Sequence, residues 1–122
     1  MRKYIYIGIA LGGGAGSTIR YWLSEVFNQN GLLPYGTLLV NLAGCFLLSF
    51  FFSKFINSTW SPSVKIGLTT GFIGSLTTFS TFTIESIELL QDSLYLGSFY
   101  LLFSLLGGFI MTWSGLKIGD LT

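Results

Sequence analysis

Residues 74–83 read Gly-Ser-Leu-Thr-Thr-Phe-Ser-Thr-Phe-Thr. Six of the nine residues Ser75–Thr83 carry a hydroxyl, and Phe79 and Phe82 are two of the other three. The stretch sits in a run without charge from Gly67 to Ile84. One or two Ser or Thr in an apolar helix mean little, because each can bond back to its own i−4 carbonyl. This density, approached through Gly71 and Gly74, means more. Glycine weakens a helix and the hydroxyls compete for its backbone bonds, so the pattern predicts a helix that breaks near Gly74–Ser80. Non-helical backbone at membrane depth survives only when buried in protein or lining water. Its freed carbonyls suit a desolvated cation, since carbonyl oxygens replace a water shell.

The surroundings of this stretch are those of a membrane protein. The chain has 122 residues, 51% hydrophobic and 9% charged, with a mean hydropathy of +0.70; soluble domains average about 25% charged residues. A span needs about 20 mostly apolar residues, and four segments qualify: Tyr4–Phe27, Leu32–Ile56, Ser63–Leu90 and Leu94–Ile118. They are joined by the polar turns Asn28–Gly31, Asn57–Pro62 and Gln91–Ser93, with Pro62 suited to a first helical turn. The expected fold class is an all-α integral membrane protein, residues 1–122 forming a single four-span transmembrane domain whose third helix is broken. The apolar start follows Arg2 and Lys3 with no Ala-x-Ala-like cleavage site, and is read as a retained first span. Edge rings such as Tyr4, Trp22, Trp60 and Trp113 suit interfacial belts.

Several functions are excluded early. There is no His, the commonest metal ligand and physiological-pH base. Cys45 is the only cysteine, so no intrachain disulfide or CxxC metal site is possible. A net charge of +1 without a basic stripe gives nothing for nucleic acid. With no acid–base constellation at depth, an enzyme is not expected. Gly12–Gly16 is no phosphate loop, since it lacks a preceding strand and a Lys-Ser/Thr.

Small residues repeat at i+4 in Gly8, Gly12 and Gly16, again in Gly67, Gly71 and Ser75, and in Gly115 and Gly119. Such ridges are read first as seams where helix backbones approach closely. Asn41, midway along the second span, has two readings of equal weight: helix–helix glue, or an amide donor to an anion in a watery vestibule. Phe79 and Phe82 are i, i+3 neighbours. An aromatic ring is positive at its edge, so a ring edge can meet an anion without the fixed charge that would trap it. Tyr100, Ser104 and Gly108 form a mildly polar stripe that extends a donor track or simply packs. Arg20 is read as ending the first span, either snorkelling or drawing anions to a pore mouth. Glu85 and Glu88 are read as solvated rim residues.

Three stretches carry a family resemblance: Gly12–Tyr21 (GGGAGSTIRY), Gly36–Gly44 (GTLLVNLAG) and Gly71–Phe82 (GFIGSLTTFSTF). In order and over nearly the whole chain they resemble the small fluoride channels called Fluc or CrcB. The third motif is the most specific. The resemblance implies an antiparallel dual-topology dimer with two pores along its interface. It implies passive fluoride export across the plasma membrane that lowers cytoplasmic fluoride. By motif position it makes Phe79 and Phe82 the pore phenylalanines, Asn41 a vestibule donor, and Ser80 and Thr81 part of the polar track. Tyr100 and Ser104 match the fourth-span track. Gly74 and Thr77 would give backbone carbonyls to a central structural Na⁺ that is not transported.

The charge distribution pulls the other way. Arg2, Lys3, Lys54, Lys65 and Lys117 fall on the side of the N-terminus, with Arg20 alone near the other face beside Glu25, Glu85, Glu88 and Asp92. The positive-inside rule then favours cytoplasmic termini. The expected partner in the membrane is therefore a second copy or an oppositely biased homologue, with fluoride and lipid as the other partners. Two alternatives remain. A small four-span drug/proton antiporter would need a carboxylate at membrane depth, and the first span has none before Glu25. A non-transporting membrane assembly subunit would use every polar residue as helix glue.

Overall fold

The computed structural model describes residues 2–29 and 31–121. Met1, and Asn30 in the expected Asn28–Gly31 turn, lie outside the described residues. Every regular element among the described residues is a helix. Helix α1 spans Arg2–Asn28 and α2 spans Tyr35–Ile56. A third passage begins as α3 (Pro62–Ile66), widens into a π-helical segment (Gly67–Ile73) and returns to α-geometry in α4 (Gly74–Leu76). Residues 77–79 are not helical; α5 then runs Ser80–Asp92 and α6 Leu94–Leu121. Two helices, α2 and α6, are long and apolar enough to cross a membrane on their own.

Local chemistry sets the ends of the helices. Ser61 caps α3, its Oγ accepting from Val64 N–H at 3.4 Å with Pro62 in the first turn. Ser93 Oγ accepts from Leu96 N–H at 3.4 Å where α6 begins. Lys65 Nζ donates to the carbonyls of Phe55 (2.9 Å) and Ser58 (3.0 Å), covering acceptors freed at the end of α2. Ser53 Oγ donates to Asp120 at the same end, so a carboxylate also sits among the basic residues there.

The glycine ridges are packing seams. A Cβ on Gly8 would come within 2.8 Å of Ser63 O, and one on Gly12 within 2.8 Å of Phe72 N. One on Gly16 would meet Leu76 N at 3.0 Å, so α1 and the third passage touch backbone to backbone. The second ridge answers the first: a Cβ on Gly71 would lie 2.9 Å from Ile9 O. Gly119 lets α6 approach Phe50 O of α2 in the same way, at 2.9 Å. No hydrophobic effect drives helices together in lipid, so close van der Waals contact of this kind carries more of the association.

Little is buried by one chain. Leu11, Trp22, Leu102, Leu105, Phe109 and Trp113 are all exposed. An apolar surface this continuous faces lipid or another protein rather than water.

Candidate functional site

The break between α4 and α5 is built by one side chain of α2. Helix α4 stops when Thr77 turns extended (φ −83°, ψ 157°). Thr78 N–H would otherwise have bonded to Gly74 O; instead it donates to Asn41 Oδ1 at 2.8 Å. Asn41 Nδ2 donates back to Thr78 O at 2.9 Å. The amide thus pairs with both backbone groups of a single residue and satisfies them where water is scarce. Of the two readings of Asn41, the structure makes it a clamp on the break, with one N–H of its NH₂ group uncommitted by that pairing.

The hydroxyls around the break serve its ends. Thr77 Oγ1 bonds back to Ile73 O at 3.2 Å. Thr78 Oγ1 accepts from Thr81 N–H at 3.2 Å, which starts α5, and donates to Thr81 Oγ1 at 3.2 Å. It also lies 3.4 Å from Ser80 Oγ. Thr78 therefore joins Ser80 and Thr81 into one hydroxyl cluster. Sequence reasoning passed over it, although it stands in the same polar run; its role comes from the break, which exposes its backbone.

Beside the break lies a groove of about 330 Å³. It gathers Asn41, Gly74, Thr77, Phe79, Phe82 and Ser104 from the expected set. It adds Gly44, Cys45 and Thr78, which were not among the expected site residues. Gly44 is needed there because a Cβ would run into the Thr77 methyl group. The Phe79 and Phe82 rings stand 6.0 Å apart at 43°. Phe79 is 80% exposed in the single chain. Ser104 Oγ is buried and has no hydrogen-bond partner among the described residues. An unsatisfied buried hydroxyl is costly, so this one marks a place where a ligand or water is expected.

Other candidates stand apart. Tyr100 is fully buried, and its hydroxyl donates to Glu85 Oε2 at 2.9 Å, so its single proton is committed. Its ring still packs 5.4 Å from that of Phe82. Glu85 corrects the expectation of a solvated rim residue. It is half-buried and also accepts from Thr37 Oγ1 (2.7 Å) and Asn28 Nδ2 (3.3 Å). The reason is geometric: α5 turns this carboxylate inward toward α2 and α6, while Glu88 remains exposed. Arg20 does not end α1, which continues two turns to Asn28, about 12 Å further along. It is not part of the groove.

Two backbone oxygens near the break have spare capacity. Gly74 O keeps only a 3.4 Å contact from Thr77 Oγ1, its helical donor having gone to Asn41. Thr77 O accepts no backbone hydrogen bond among the described residues. Neutral carbonyl oxygens freed in this way fit a hard monovalent cation.

Comparison with known proteins joins these features to a lineage. Residues 7–116 match the family model described as CrcB-like protein, Camphor Resistance (CrcB). The chain is 42% identical over 124 aligned residues to fluoride-specific ion channel FluC 1 of Bacillus thuringiensis subsp. konkukian, covering 98% of this chain and 90% of that one. It is 43% identical to fluoride-specific ion channel FluC of Flavobacterium psychrophilum, with 97% of each chain covered. Against fluoride-specific ion channel FluC 2 of Geobacillus kaustophilus the identity is 38%, over 91% of this chain and 89% of that one. A match along almost the whole chain means that the chain belongs to the CrcB family.

Proposed function

We propose that this chain forms a fluoride-specific channel that lets fluoride leave the cell passively and so lowers its cytoplasmic concentration. The observation that carries the reading is the groove at the broken helix. There an exposed Phe79 ring, the Phe82 ring and the unpartnered Ser104 hydroxyl stand together with Asn41. These groups offer ring edges and neutral donors, which attract a small anion without holding it tightly. Ser80 and Thr81 extend the donors on one side through Thr78. Glu85 holds the Tyr100 hydroxyl, so Tyr100 contributes its ring rather than a free donor.

The working unit is an antiparallel dimer in the cell membrane, each chain crossing four times, with two pores along the interface. The bare Phe79 ring supports this, because a path flanked by one chain alone would open to lipid. Gly74 and Thr77 carbonyls from both copies would hold a structural Na⁺ at the centre, their neutral oxygens replacing its water shell.

Fluoride-electrode efflux from liposomes containing this chain alone tests the reading. Fast, fluoride-selective efflux is expected, and no efflux, either alone or with a related chain of opposite charge bias, would overturn it. Phe79→Ile and Phe82→Ile should each abolish flux while dimers still run normally on size exclusion. Wild-type flux in both variants would remove the ring-edge mechanism. Efflux that appears only after co-reconstitution with a related chain of opposite charge bias would make the partner a homologue rather than a second copy.

A further inference from the structure

Asn28 closes α1 and does three things with one amide. Its Oδ1 accepts from Gly36 N–H at 2.7 Å, fixing the first turn of α2. Its Nδ2 lies 3.3 Å from Thr37 Oγ1 and 3.3 Å from Glu85 Oε1, donating toward both. Thr37, fully buried, donates to the same Glu85 oxygen at 2.7 Å, and Tyr100 donates to the other at 2.9 Å. The Tyr100 ring then lies 5.4 Å from Phe82, whose ring lies 6.0 Å from Phe79. A continuous line of contacts therefore runs from the last residue of α1 to the exposed ring of the groove. Gly36 is part of the construction, since a Cβ there would come within 2.7 Å of Leu23 O.

We propose that Asn28 is a positioning residue for the anion path, acting by holding the Glu85 carboxylate on Thr37 and Tyr100 and thereby setting the Phe82 ring. The inference rests on the channel reading above. Its physical content is electrostatic and steric. Glu85 lies on the helix that also carries Phe82, and donors on both of its oxygens keep its carboxylate turned toward α1, α2 and α6. With the Asn28 donor gone, the carboxylate gains freedom to swing, the Tyr100 hydroxyl loses a fixed acceptor, and Phe82 loses the ring it leans on. A mobile carboxylate near the path also repels the anion.

Asn28→Asp separates this role from simple helix capping. Aspartate keeps an oxygen for Gly36 N–H but has no N–H to give Glu85. Asn28→Ala removes both functions. In liposomes, Asn28→Asp should cut fluoride flux by about ten-fold while the dimer peak on size exclusion stays in place. A second readout does not depend on transport: 4-fluorophenylalanine placed at position 82 should show a shifted ¹⁹F resonance in Asn28→Asp. Wild-type flux in Asn28→Asp would overturn the inference. So would lost flux with an unmoved ¹⁹F resonance, or failure of both variants to fold, because either result makes Asn28 a structural cap only. A wild-type chain that passes no fluoride would overturn the channel reading instead, and the ¹⁹F shift would still decide the role of Asn28.

Discussion

Asn41 shows how one side chain at depth can stand in for lost secondary structure. Its two bonds to Thr78 replace two helical bonds that the break removes. Asn41→Ala would leave an N–H and a carbonyl unpaired in a low-dielectric setting, each costing about 1–3 kcal/mol. The expected outcome is a lower Tm in detergent, by about 2 kcal/mol or more of stability, together with lost flux. Asn41→Asp keeps the acceptor and loses the donor, so it should fall between the two; a wild-type melting curve for both would show that the clamp contributes nothing. The sequence made Asn41 conspicuous but left its partner open. An amide in an apolar helix announces a need for partners, whereas the identity of those partners is a fact of tertiary register. The same limit hid Thr78, which reads as one hydroxyl among six until the backbone around it opens. Glu85 was misjudged for a related reason: helical periodicity places a carboxylate near a helix end, but only packing decides whether that end faces water.

Among the elements, the third passage is the most heavily modified. It begins α-helical, becomes π-helical over Gly67–Ile73, returns to α over three residues and then breaks. The break was legible because glycine and hydroxyl density weaken a helix from within. The π segment was not, since nothing in the residues Gly67–Ile73 marks its wider turn. The seams themselves were readable from i+4 spacing, because spacing alone puts small residues on one face. Gly12→Val should block the meeting of α1 with the third passage, since even a single Cβ would sit 2.8 Å from Phe72 N. Loss of the folded peak on size exclusion is the expected result. Gly14→Ala provides the contrast, because nothing lies within 4 Å of a Cβ there. It should express and run as wild type; equal behaviour of the two variants would argue that the ridge is not a seam.

At the scale of the molecule, the two ends are secured differently. The end holding the termini is tied by backbone proximity and by Lys65 and Ser53 reaching carbonyl and carboxylate oxygens. The opposite end is tied by the side-chain hydrogen bonds around Glu85. The centre is left with carbonyl oxygens short of donors, and the proposed Na⁺ is tested there. Replacing Na⁺ with a large organic cation during purification should shift the protein from dimer to smaller species or lower its Tm. An unchanged profile would remove the proposed ion from the centre. An all-helical fold followed from apolar runs and short turns, but pairing did not, because a sequence shows which surface is apolar and not what covers it. The bare Phe79 ring turns that surface into a matter of gene dosage. On the paired reading, a solitary chain brings only part of a conduit, so unpaired copies occupy membrane without relieving toxicity. Resistance should then climb more steeply than in proportion to expression at low copy number, and level into proportion once most chains have met a mate.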